Sequence, residues 1–154
     1  MTTIAYRDGV IAADTQETWD DGSFTPCKKI YRISSSDAEI DGHIVALAGG
    51  SYSAEVFLEW YENGDWNDPP DLVNLDADED FEALVVKNDG TLWTCNRLFA
   101  FIPIKVDYFA MGSGGKAALG AMAVGATADE AVRAAMKHDC YTGGKVQTLK
   151  VTHN

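Results

Sequence analysis

Thr2 concentrates more chemistry than any other single residue of this chain. Removal of Met1 would leave its hydroxyl and a free α-amine on one residue. A nucleophile and its base then sit together, the pairing of threonine with an N-terminal amine used in covalent catalysis. Other residues could serve such chemistry, and each also has a plain reading. Asp14 closes the apolar run Val10-Ile11-Ala12-Ala13 and fits a strand-end turn as well as a placed carboxylate. Lys29 fits a solvated strand charge or a held cation. Gly112-Ser113-Gly114-Gly115 ahead of a helix fits an anion-binding turn or a simple connector.

Other chemistries find less support. Cys27, Cys95 and Cys140 are odd in number and widely spaced, with no CxxC pair. His43, His138 and His153 complete no zinc spacing. Three buried, reduced thiols are expected. The run Asp76-Ala77-Asp78-Glu79-Asp80 lacks the glycine of an EF-hand loop, and the twelfth residue from Asp76 is Lys87 rather than Glu. A solvated loop is expected there, and no metal or cofactor anywhere.

Asp and Glu number 24 against 12 Lys and Arg, a net charge of −12. Phosphate binding needs cations, so this balance argues against nucleic acid and against an anionic membrane surface. No stretch approaches the roughly 18–20 apolar residues of a membrane span, and no signal peptide is visible. The cytoplasm is the expected compartment. With 46% apolar residues in 154, residues 1–154 read as one domain with a sizeable core.

The elements that must position these groups follow from pattern. Thr3 to Tyr6 and Val10 to Ala13 flank Asp8-Gly9, a strong hairpin signal. Residues 15–27 read as a loop. Lys29 to Ile33 alternates and predicts a half-buried strand. His43 to Ala48 is a dense apolar strand that ends at Gly49-Gly50. Residues 51–63 place Val56, Phe57, Trp60 and Tyr61 at helical spacing. Glu82 to Lys87 and Thr91 to Cys95 flank Asn88-Asp89-Gly90 as a second hairpin, and Lys105 to Met111 is a further strand. A helix is predicted over Lys116 to Val124. Thr127-Ala128-Asp129-Glu130 is a capping box opening another, which ends near His138. Lys145 to Thr152 alternates as a last strand. The tight first hairpin excludes a parallel βαβ sheet and favours two antiparallel sheets covered by helices.

Taken in order, these motifs resemble the β-type subunits of the 20S proteasome and their bacterial counterpart, the HslV peptidase, both N-terminal-nucleophile hydrolases. The resemblance runs from Thr2 to about Val151. It rests on Thr-Thr-Ile at the start, Gly-Val-Ile-Ala-Ala-Asp, Lys-Lys-Ile, Ala-Gly-Gly, Gly-Ser-Gly-Gly and Asp-X-Tyr-Thr-Gly-Gly. It implies an α+β, four-layer αββα sandwich. It also implies that Thr2 is the nucleophile and its α-amine the base. Lys29 matches the catalytic lysine, Asp14 the carboxylate that orients it, and Gly49 an oxyanion-hole N–H. Ser113 and Asp139 match residues around the terminal amine, and Thr142 stands where a serine is usual. Glu17, Cys27, Tyr31 and Leu47 would wall the substrate pocket.

Two departures stand out. The family's second long helix is missing or reduced in Gly64 to Asp80, which holds Pro69-Pro70. Nothing resembling a propeptide precedes Thr2, so only methionine removal is expected. The resemblance implies a cytoplasmic threonine-type endopeptidase acting on polypeptides, in a homo-oligomeric ring that an AAA+ ATPase unfoldase could serve. A small-amide hydrolase of the same class and a catalytically silent structural member are the alternatives.

Overall fold

In the computed structural model, which describes residues 2–73 and 81–151, Asp8 and Gly9 take φ of 53° and 77°. Both values are left-handed, as a two-residue hairpin turn requires and as Asp and Gly tolerate. The turn joins β1 (Thr3–Arg7) to β2 (Val10–Ala13). β10 (Tyr108–Gly112) adds outside β1 and β11 (Gln147–Lys150) outside β2, giving the antiparallel order β10-β1-β2-β11. These strands belong to one of two compact units, residues 2–30 with 106–150.

One sheet face of this unit is built from alanines. Ala5, Ala12 and Ala110 meet Ala118 and Met122 of α2 (Gly115–Ala123) and Ala131 and Val132 of α3 (Ala128–Met136). Side chains this small let the helices lie close on the strands. The capping box forms as read: the Thr127 hydroxyl accepts from the Glu130 N–H at 3.2 Å, and the Glu130 carboxylate accepts from the Thr127 N–H at 3.0 Å. Arg7 donates to the carbonyls of Met122 (2.5 Å) and Ala126 (3.2 Å), satisfying acceptors at and beyond the end of α2.

Residues 15–27 are not a plain loop. They hold a ribbon of β3 (Gln16–Thr18) and β4 (Phe24–Pro26), closed near Gly22 at φ 86°. Its large apolar side chains, Trp19 and Phe24, are 51% and 67% exposed, so it leaves no inward-facing pattern to read.

The second unit comprises residues 31–73, 81–105 and 151. Its sheet runs β5-β6-β7-β8-β9: β5 (Ile30–Arg32), β6 (Ile44–Ala48), β7 (Glu82–Val86), β8 (Leu92–Asn96) and β9 (Phe101–Ile104). β9 has no counterpart in the sequence reading, which begins the next strand at Lys105. Pro103 hides it, since proline donates no ladder hydrogen bond; an edge strand tolerates that loss. α1 (Ser51–Asn63) buries Ser53, Phe57, Trp60 and Tyr61, while Val56 stays half-buried. Phe57 is fully buried against Tyr61, Phe81 and Phe99, with ring centroids 5.7–5.8 Å away.

Residues 64–73 form turns and no helix, in keeping with the expected loss of the second long helix. The rest of that interval, with the acidic run Asp76–Asp80, lies outside the described residues. Among the described residues the fold is α+β, with three helices and antiparallel sheets, and no helix is long and apolar enough to cross a membrane.

Replacing Thr127 by Ala should lower stability by about 1 kcal/mol, while Thr127→Ser should be nearly neutral. Urea melts of the two variants check this.

Candidate active site

Thr2 is 4% exposed and lies directly ahead of β1. β10 passes unusually close to it. Gly112, opposite Thr3 in the ladder, has φ 94°, and a Cβ there would run into the Thr2 carbonyl. Only glycine combines that backbone angle with that clearance.

Two carboxylates organise the polar groups around Thr2. Asp14, at the end of β2, is fully buried. Its Oδ1 accepts from the Thr3 N–H and from the Lys29 ammonium, each at 2.9 Å. Its Oδ2 accepts from the Gly143 N–H at 3.1 Å and, more weakly, from the Gln16 N–H at 3.4 Å. Lys29 is 5% exposed and also donates to the Gln16 carbonyl at 2.6 Å. The ammonium and the peptide that follows Thr2 therefore share one acceptor atom.

Asp139 follows α3. The Ser113 hydroxyl donates to its Oδ2 at 2.5 Å, and the Thr142 hydroxyl to the same oxygen at 2.7 Å. The Tyr141 N–H donates to Oδ1 at 3.1 Å. Burial pushes the Asp139 carboxyl up, but these donors outweigh it and hold it below the usual aspartate range. Thr142 Oγ1 also lies 2.7 Å from Thr3 Oγ1. Each hydroxyl has one proton. Thr142 has committed its proton to Asp139, so Thr3 is the donor to Thr142. Ser113 Oγ lies 3.4 Å from the Thr2 carbonyl oxygen.

Six residues singled out in the sequence, Thr2, Asp14, Lys29, Ser113, Asp139 and Thr142, thus belong to the first unit and to these two networks. Glu17 and Cys27 are also in this unit. Burial raises the Cys27 thiol, with the Glu17 charge and hydrogen bond adding to it and the Lys29 charge opposing. Gly49, Leu47 and Tyr31 belong to the second unit. Gly49 follows β6 at φ 107°, and Leu47 and Tyr31 pack in the apolar cluster beneath α1. Among the described residues no group of His, Cys, Asp and Glu could hold a metal ion.

Thr3, Gln16 and Gly143 were missed by sequence reasoning. Much of their contribution comes from backbone atoms, which residue type does not advertise. The Gln16 side chain also ties the ribbon to the 139–144 loop, donating to the Cys140 carbonyl at 3.1 Å.

Two predictions follow from this geometry. A Cβ at Gly114 would strike Thr3 Oγ1 and lie 2.9 Å from Ala135 Cβ, so Gly114→Ala should cost about 1–3 kcal/mol. Urea denaturation measures that cost. The lowered Asp139 value stabilises the fold above the ordinary aspartate pKa of about 3.9, and this contribution is lost as pH falls through the depressed value. The stability gap between wild type and Asp139→Asn should therefore close on acidification below that pH, read from urea midpoints.

Neither family models nor curated proteins give a match to the chain. Solved structures do. Thiobacillus denitrificans BPH aligns at 20% identity and TM-score 0.66, over 99% of both chains. The same protein in complex with epoxomicin aligns at 20% identity and TM-score 0.66, over 98% of both. Eukaryotic HslV from Trypanosoma brucei aligns at 18% identity and TM-score 0.65, over 97% of this chain and 98% of that one. The chain has the fold of HslV along nearly its whole length.

Proposed function

We propose that this chain is a threonine-type endopeptidase subunit of the HslV and proteasome β-subunit family, with Thr2 as nucleophile once Met1 is removed. The observation that carries the reading is the Asp14 oxygen that holds both the Lys29 ammonium and the amide following Thr2. It ties a cation to the backbone at the residue whose amine must act as base. An α-amine near a positive charge is easier to deprotonate, and its ordinary pKa of about 7.7–8.0 already leaves a neutral fraction at cellular pH.

In this reading the Thr2 hydroxyl oxygen adds to the scissile carbonyl carbon while its proton passes to the α-amine. The resemblance assigns the oxyanion to the Gly49 N–H, and such a donor is typically worth about 10²–10³ in rate. Collapse breaks the C–N bond, and the ammonium protonates the leaving amine. An ester then links the substrate to Thr2. Water adds to that ester and gives its proton to the amine; the proton returns to the Thr2 oxygen as the acid product leaves. Lys29 holds positive charge near the amine, Asp14 orients Lys29, and Ser113, Asp139 and Thr142 arrange acceptors near residue 2. The resemblance assigns the substrate pocket to Glu17, Cys27, Tyr31 and Leu47.

The wider reading is a single αββα domain, assembled with identical copies into a closed ring in the cytoplasm. Closed symmetry is the common form for identical subunits, and a ring would hide the nucleophiles from neighbouring proteins. An AAA+ ATPase unfoldase is the partner this family implies, although the shortened 64–80 interval alters the outer surface available to it.

An epoxyketone such as epoxomicin tests the proposal. Protein from the native host should have a mass that begins at Thr2 and should gain one adduct. Thr2→Ala, with an unchanged melting temperature, should gain none and hydrolyse no peptide. A species that lacks Met1, stays folded and takes no adduct would overturn the reading. A mass that retains Met1 would favour the silent structural member.

A further inference from the structure

Within the second unit lies a cavity of about 450 Å³, inside the range of roughly 300–1,000 Å³ common for small-molecule sites. Three of the four tryptophans of the chain, Trp60, Trp66 and Trp93, line it. None of the residues assigned to the proposed peptidase chemistry does.

The rings that bound the cavity are steeply inclined to one another. Trp60 and Trp66 lie 4.8 Å apart at 65°, Trp60 and Phe99 4.8 Å apart at 77°, and Tyr61 and Trp66 5.2 Å apart at 79°. These are edge-to-face contacts that fix the rings against one another, so the aromatic part of the cavity lining is held in place by its own packing. Phe99 takes part at a cost: its φ is 58°, a left-handed conformation that a bulky residue rarely adopts. A turn secures it, with the Phe99 N–H donating to the Asn96 carbonyl and the Leu98 N–H to Asn96 Oδ1, both at 3.0 Å.

The charges at the cavity select among ligands. Asp37 and Glu39 contribute two exposed carboxylates. Lys87 contributes one ammonium, stacked over the Trp93 ring at 4.6 Å from its centroid. His43 pairs with the Tyr61 hydroxyl at 2.8 Å, and burial disfavours its protonated form. The lining thus carries two carboxylates to one ammonium, on a chain of net charge −12. Aromatic faces attract cations through the ring quadrupole, most effectively cations that shed water easily. Lys87 shows that one ring of this lining already carries a cation.

We propose that this pocket binds an organic cation of the alkylated-ammonium class. A small hydrated metal ion would gain little from ring faces, and an aryl carboxylate would meet Asp37 and Glu39.

The test is titration of the full-length protein at constant ionic strength with tetramethylammonium, choline, the neutral isostere 3,3-dimethyl-1-butanol, and benzoate. Tryptophan fluorescence and indole N–H NMR shifts give the readout. Both cations should bind saturably, at least fivefold more tightly than the isostere, and benzoate should not bind. Trp66 is 44% exposed but packs on Trp60 and Tyr61, so Trp66→Ala should stay folded with a lowered melting temperature and weaken cation binding at least fivefold. Asp37→Asn should weaken it as well. Lys87→Gln removes a like charge and should tighten it. Absence of saturable cation binding, equal binding of the isostere, or benzoate binding that disappears in Lys87→Gln would each overturn the proposal.

Discussion

The first unit depends on a carboxylate with no access to water. Burying an ion costs several kcal/mol unless a partner charge and hydrogen bonds replace its hydration. Asp14 gets both: one ammonium at 2.9 Å and three backbone N–H groups from Thr3, Gln16 and Gly143. Those donors come from β1, from β3 and from the loop after α3, and Lys29 stands just ahead of β5. Segments far apart in sequence are therefore bound to one carboxyl group. Removing either charge would leave the other buried and unpaired, typically a loss of about 3–5 kcal/mol. The pair belongs to the fold as much as to any chemistry, and that constraint fixes where the amide after Thr2 can lie.

Close backbone approach is the second constraint. The Gly112 Cα faces the Thr2 carbonyl with no room for a side chain, and Gly114 sits against Thr3 Oγ1 and Thr142 Oγ1. The Gly-Ser-Gly-Gly turn then has a reason beyond connection. It brings the Ser113 hydroxyl beside residue 2 and starts α2 directly afterwards, so β10, Ser113 and the helix are set by one short segment. Clearance requires glycine at positions 112 and 114 of that turn, whereas a Cβ at Gly115 would make only ordinary contacts. The Ser113 hydroxyl, between the first two, donates to the Asp139 carboxylate.

Legibility in the sequence followed physical type. Elements with an inward apolar face were readable: α1, the hairpin of β7 and β8, and the capping box of α3 fall where periodicity and turn residues put them. The β3–β4 ribbon was not, because it is held by backbone bonds and leaves Trp19 and Phe24 exposed. β9 was hidden by Pro103. At the candidate site, Asp14, Lys29, Ser113 and Asp139 were ambiguous one at a time and gained meaning only from the order of the motifs. Gln16 and Thr3 stayed invisible, since what they supply is largely an N–H and a carbonyl. The aromatic pocket was equally hidden: Trp60 and Tyr61 read as part of a helix face, but the other lining rings Trp66, Trp93 and Phe99 come from elsewhere in the chain.

The direction of the hydroxyl protons carries the synthesis one step further. Asp139 Oδ2 accepts hydrogen bonds from both the Ser113 and the Thr142 hydroxyls, and the Thr142 oxygen in turn accepts from the Thr3 hydroxyl. The Ser113 hydroxyl also reaches the Thr2 carbonyl at 3.4 Å, a much weaker claim on the same proton, and its lone pairs are left to accept from donors near residue 2. A free α-amine on Thr2 would be a donor and would match them. An amine N–H directed at Ser113 would leave the nitrogen lone pair free to turn toward the threonine hydroxyl, the orientation that proton abstraction requires. A blocked terminus, whose nitrogen lone pair is delocalised into an amide, could satisfy the same acceptor but could not act as a base. In the proposed reading, the acceptors that Asp139, Ser113 and Thr142 arrange would orient a terminal amine in a way that an internal peptide could not use.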